Sequence, residues 1–239
     1  MVVRARRGCD QSSPVLSRRR LLLGLDSQPS QNGSEAGRSA GTRTLAVGYR
    51  LAPEHPFPAA LDDALTAWRF LRNHGIAAAQ IAVGGDSAGG ALTVALIVRL
   101  LENKGELPGC AWLVSPWTDL SMSGASLINK ESVDPILHRG YLGELAAAYV
   151  PAFVARTDPR ISVLNAKLDG LSPTLIQVGS AETLLDDSTR FAAAAGNAAV
   201  PVTLEVWPHM IHAWHLWNAH LEPARRALNN AGSFIRRHL

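Results

Sequence analysis

The stretch "IAVGGDSAGGALTVALIVRLL" (residues 81–101) decides how the rest of the chain is read. It opens on a short apolar run, Ile81 to Gly84, and closes on Ala91 to Leu101, which is apolar almost all the way round a helix. Four glycines, at 84, 85, 89 and 90, bracket Asp86-Ser87-Ala88 between them. A strand turning abruptly into a buried helix leaves this signature. The spacing Gly85-x-Ser87-x-Gly89 puts one hydroxyl at the tip of the turn, where small neighbours let the backbone fold back without a clash. Ser87 is therefore the candidate nucleophile, Gly85 and Gly89 form the elbow, and Ala88 N–H, at the start of the helix, is the candidate donor to an oxyanion. A glycine-rich turn can also cradle phosphate, but neither G-x-x-x-x-G-K-[ST] nor G-x-G-x-x-G stands here.

Working outward, "TLAVGY" (44–49), "CAWLVS" (110–115), "TLIQVG" (174–179) and "VTLEVW" (202–207) join "IAVG" as strands. The three middle runs are nearly continuous in apolar residues, as parallel strands covered on both faces require, whereas the last alternates like an edge. Leu61, Ala64, Leu65, Trp68 and Leu71 recur at helical spacing, which predicts an amphipathic helix over 59–74. Further helices are predicted over 186–197 and 221–238. The order is an α/β fold: a mostly parallel sheet flanked by helices, with right-handed crossovers. The stretch 116–172 is too long for one crossover and is predicted to form a small helical cap. The domain division expected is an Arg/Ser/Gly-rich segment over 1–33 and a core over 34–239.

Composition supports one globular domain: 239 residues, 47% hydrophobic and 18% charged. Eight of the 23 basic residues are arginines in the first 43 positions, against three acids there, so the remainder is slightly acidic. Basic charge confined to one end, without interleaved aromatics on a folded face, argues against nucleic acid as a partner. Cys9 and Cys110 are far apart and outside any C-x-x-C spacing, which suits a reducing, cytoplasmic setting. No apolar run is long enough for a membrane span, and Leu21–Leu25 is short even for a signal-peptide core.

A serine hydroxyl needs a base, and the base a carboxylate to orient it. "SAETLLDD" after the fourth strand offers Glu182, Asp186 and Asp187; "PHMIHAWH" after the fifth offers His209, His212 and His215. Histidines at i, i+3 and i+6 do not share a helix face and no acid or cysteine joins them nearby, so a metal site is not expected. Local spacing does not choose among the candidates.

The motifs "GYRLAPEHPFPAALDDALTAWRFL" (48–71), "GGDSAGG", "SPWTDLS" (115–121) and "MIHAWH", in this order, resemble the bacterial hormone-sensitive-lipase-like esterases of the α/β-hydrolase fold. The resemblance implies a serine carboxylesterase acting on short acyl esters through an acyl-enzyme, without metal or organic cofactor. It implies His212 as base and Glu182 as acid, because "ETLLD" aligns with the family's D-P-L-x-D; glutamate and threonine replace the usual aspartate and proline, and Asp186 is the reserve. The partner implied is a small-molecule ester, with a homodimer as the assembly considered. The alternatives are a non-catalytic ligand-binding protein on the same scaffold, or an inactive fragment. "YRLAPEHPFP" reads as a rigid loop in which Arg50 and Glu54 are structural.

The family also carries a His-Gly-Gly-Gly loop that supplies oxyanion donors. This chain has instead Ser17-Arg18-Arg19-Arg20. Codons TCA CGG CGG CGG followed by C, moved by one base, read CAC GGC GGC GGC, which is His-Gly-Gly-Gly. Residues before about Ser34 are accordingly read as an out-of-frame or otherwise atypical segment, with N-terminal strands missing or altered and weak or undetectable activity expected; an Arg-rich presequence is the rival.

Overall fold

The computed structural model describes residues 4–5, 20–25 and 31–239. Its elements run β1 (Arg4–Ala5), β2 (Leu21–Leu25), α1 (Gln31–Ala40), β3 (Arg43–Val47), α2 (Ala59–Asn73), β4 (Ile81–Asp86), α3 (Ala88–Glu102), β5 (Cys110–Val114), α4 (Ser126–Asn129), α5 (Arg139–Tyr149), β6 (Thr174–Gly179), α6 (Leu185–Asn197), β7 (Val202–Trp207) and α7 (Glu222–His238). Among the described residues these strands form one seven-stranded sheet, ordered β1-β3-β2-β4-β5-β6-β7. Only β1 runs antiparallel, against β3; the other six are parallel.

Burial explains the strands. Every residue of β5 and β6 is buried, consistent with helices on both faces, while β7 is half-exposed at the edge. One apolar cluster packs α2 and α3 against one side of the sheet, around Leu61, Trp68, Val94 and Leu96. A second packs α1 and α7 on the other, around Ala36, Trp112, Leu228 and Phe234. α3 is buried along most of its length, as its apolar composition demands.

At the N-terminal end the described residues form two short strands. A two-residue β1 and a five-residue β2 stand there, and β2 lies between β3 and β4 with all five residues buried. Leu21–Leu25, too short to read as anything in isolation, thus completes the middle of the sheet. Ser17, Arg18 and Arg19 lie outside the described residues; Arg20 is described, and its carbonyl accepts Arg43 N–H as β3 begins. The 116–172 stretch contributes α4 and α5 plus irregular segments. No helix among the described residues is long and apolar enough to cross a membrane.

Candidate active site

The C-terminal ends of four neighbouring parallel strands build the site, where the crevice of an α/β sheet gathers its functional groups. β4 delivers Ser87, which adopts φ 53° and ψ −121°. A residue with a side chain pays roughly 1–3 kcal/mol to sit in such a region, and packing must hold it there. Ser87 N–H donates to Val114 O (2.9 Å), and Ser87 O accepts from Gly90 N (3.0 Å) and Trp117 N (3.1 Å). Glycine is required at 85 because a Cβ would collide with the carbonyls of Gly89 and Leu25, and at 90 because it would strike Pro116. The start of α3 and the end of β2 converge on the turn. Ala88 is the first residue of α3, so its N–H lies at the positive end of the helix dipole.

β6 and β7 deliver the acid and the base. Glu182, fully buried just past β6, sets Oε1 3.4 Å from His212 Nδ1. Its Oε2 accepts Ser115 Oγ–H at 2.8 Å and Gly179 N–H at 2.9 Å. A carboxylate held by two protein donors keeps its remaining oxygen fixed toward the imidazole. His212 is also buried, and the adjacent Ala213 N–H donates to Ser115 Oγ at 3.1 Å. Ser115 has φ 44°, which bends the chain after β5. Its single hydroxyl touches both the acid and the loop carrying the base. Ser87 joins the network through β5, because its N–H is held by Val114, the residue before Ser115.

The other candidates go elsewhere. Asp186 Oδ2 accepts Ser126 N–H (2.9 Å), at the start of α4, and Asp186 N–H returns a bond to Ser126 Oγ (3.0 Å). Asp187 Oδ2 accepts the N–H groups of Thr118 (2.7 Å) and Asp119 (2.8 Å), fastening the loop after β5. Burial pushes its carboxyl up to about 7, and Oδ1 has no hydrogen-bond partner. His209 is exposed on the turn, its backbone N–H bonded to Ser180 Oγ (2.8 Å). His215 is fully buried, with Nε2 2.9 Å from Gln177 Oε1 and its ring 4.0 Å from that of Trp214. Burial pushes it down to about 3, which makes it a neutral core histidine.

Ser87 opens onto a cavity of about 450 Å³ lined by Ala88, Leu92, Trp117, Tyr141 and Arg160, among others. Burial pushes the Tyr149 phenol in its wall up to about 12, so it stays protonated. Arg50, also in the wall, grips Asp63 through Nε and Nη2 (2.9–3.1 Å) and donates to Ala59 O (3.3 Å). Burial alone would raise the Asp63 carboxyl; the Arg50 hydrogen bonds hold it below its usual range.

The part of the site not foreseen from the sequence is Ser115. Its signal was its position as the first residue past a fully buried strand, followed by Pro116. At that place a buried hydroxyl must find partners on neighbouring strand ends.

Comparison with known proteins places this geometry in context. Residues 25–216 match the α/β-hydrolase fold family. The chain is 42% identical over 206 residues to an acetyl-hydrolase of Streptomyces hygroscopicus, covering 85% of this chain and 68% of that protein. It is 37% identical over 192 residues to an esterase of Acinetobacter venetianus, covering 80% and 63% respectively, so it spans less than two thirds of that relative. The crystal structure of an esterase from the bacterial hormone-sensitive lipase family superposes with a TM-score of 0.89 at 36% identity, over 95% of this chain and 79% of the other.

Proposed function

The chain belongs to the α/β-hydrolase family of carboxylic-ester hydrolases related to bacterial hormone-sensitive lipase, and from that membership we propose that it hydrolyses short acyl esters with Ser87 as nucleophile, His212 as base and Glu182 as the acid that orients it. The observation carrying this assignment is the Glu182–His212 contact: of the acids and histidines after β6 and β7, this pair alone meets among the described residues.

In the proposed reaction His212 Nε2 takes the hydroxyl proton as Ser87 Oγ bonds to the ester carbonyl carbon, and the carbonyl electron pair moves onto oxygen. Ala88 N–H donates to that oxyanion. Collapse breaks the carbon–alkoxy bond, and the departing oxygen takes the proton from His212. Water then attacks acyl-Ser87, surrendering its proton to His212; release of the carboxylic acid returns the proton to Ser87. Glu182 holds the imidazole in orientation and stabilises the imidazolium.

Turnover is slow in this reading. Losing one oxyanion donor costs about 10²–10³ in kcat, and Ser17-Arg18-Arg19-Arg20 stand where the resemblance implies the His-Gly-Gly-Gly loop. The buried, free Cys110 suits a reducing, cytoplasmic setting. The edge of β7, unpaired among the described residues, suits a homodimer, which light scattering on the purified protein checks. Hydrolysis of p-nitrophenyl butyrate, lost in Ser87→Ala, tests the assignment; turnover that survives the substitution refutes it.

A further inference from the structure

Beyond the cavity at Ser87 lies a second hollow of about 580 Å³. Three residues border both: Leu61 on α2, Ala95 on α3, and Arg160. The floor is continuous. Ala88, Ala91, Leu92 and Ala95 line the first cavity, and Ala95, Val98, Arg99 and Glu102 the second. Both sets step i, i+3, i+4, i+7, so a single stripe of α3 runs from the nucleophile elbow into the outer hollow. At 1.5 Å per residue it spans about 10 Å from Ala88 to Ala95 and about as far again to Glu102.

Arg160 is the movable member of the shared wall. Leu61 and Ala95 are buried, whereas the Arg160 side chain is 48% exposed. Its guanidinium is held from outside the catalytic machinery: Nε and Nη2 donate to Asp158 Oδ1 (2.9 Å) and Oδ2 (2.6 Å), and Cζ lies 5.4 Å from the centroid of the Phe57 ring. A planar fork gripped by a carboxylate and laid on an aromatic face has a defined position, yet a half-exposed ion pair holds it only weakly. It can swing aside.

The outer hollow carries a mixed charged rim in which Lys167 and Asp169 stand beside two ion-paired arginines. Arg160 is engaged with Asp158, and Arg99 lies 3.4 Å from Glu102. Its apolar surface comes from Leu61, Val98, Leu101, Pro159 and Ala166, and long charged side chains at such a rim lay their methylenes along it and keep their heads in water. An unbranched hydrocarbon chain fits that lining.

We propose that the outer hollow is a subsite for the distal part of a longer substrate chain, and that Arg160 is the partition that restricts its entry and so favours short acyl esters. This rests on Ser87 being the nucleophile, and the test separates the two. Butyl- and decyl-phosphonate p-nitrophenyl esters phosphonylate an activated serine once, with loss of nitrophenolate, so labelling at Ser87 is read without deacylation. In Arg160→Ala the decyl-to-butyl ratio of labelling rates rises about tenfold, and in Val98→Trp, which fills the outer hollow while Arg160 remains, it falls about tenfold. A ratio unmoved in either variant overturns the subsite while the serine-esterase reading stands. Absence of Ser87 labelling by both probes in the wild type overturns the serine-esterase reading and the subsite with it.

Discussion

Ser115 Oγ lies 2.8 Å from Glu182 Oε2 while accepting Ala213 N–H at 3.1 Å, so one buried hydroxyl couples the acid to the loop that carries the base. Ser115→Ala leaves a buried carboxylate oxygen short of a donor and an N–H without an acceptor, at about 1–3 kcal/mol each. If half of one such loss reaches the transition state, kcat falls by about 2- to 12-fold. Steady-state kinetics should show lower kcat with KM within threefold, and Ser115→Thr should recover part of the loss.

We propose Glu182, not its reserve Asp186, as the acid. Glu182→Gln presents an amide to His212 and favours the wrong tautomer, a change that lowers kcat by about 10⁴ in the comparable protease triad. Asp186→Asn disturbs only the exchange with Ser126 at the start of α4. It should cost stability and leave kcat within threefold. Equal losses in the two variants would reassign the acid.

Asp187 predicts an unusual pH dependence of stability. Burial raises its carboxyl to about 7 from the ordinary 3.8. Between those values the folded chain keeps a proton that the unfolded chain has released, so this group's contribution falls as pH rises, by up to about 1.4 kcal/mol per pH unit. Above about 7 both states are ionised and the decline stops. Asn at 187 can still accept the Thr118 and Asp119 N–H groups but does not titrate. Urea unfolding at pH 5 and pH 7 should show wild type losing stability relative to Asp187→Asn; parallel curves would contradict it.

The arginines before β2 make a prediction at the level of DNA. Leu21–Leu25 pack as a central strand in the frame given, so a native approach to β2 competes with an out-of-frame oxyanion loop. The out-of-frame proposal requires TCA at Ser17, CGG at Arg18, and a codon ending in GG at Arg19 and Arg20. An AGA codon at any of the three removes it. A gene corrected by one base should gain about 10²–10³ in kcat for each oxyanion donor recovered.

The sheet was legible because parallel strands announce themselves. "TLIQVG" and "VTLEVW" coincide with β6 and β7 in full, and β7 is the edge that its alternation implied. The buried helix was recognisable, though it begins at Ala88 rather than Ala91 because apolar periodicity is blind to the Gly89–Gly90 start. β2 was not legible: five residues containing a glycine carry too little pattern, and only pairing with β3 and β4 defines them. Spacing alone left three acids and three histidines open. What separates them is tertiary: Asp187 holds Thr118, Asp186 holds Ser126, and His215 packs on Trp214, leaving Glu182 to meet His212.

The central claim is that Ser87 is made reactive by His212. The rate of fluorophosphonate labelling, with the adduct mapped by peptide mass spectrometry, tests it directly in the wild-type chain and in His212→Ala. A single adduct on Ser87, formed at least about 10²-fold more slowly without the imidazole, is the expected result. Labelling elsewhere, or at the same rate in both chains, would contradict it.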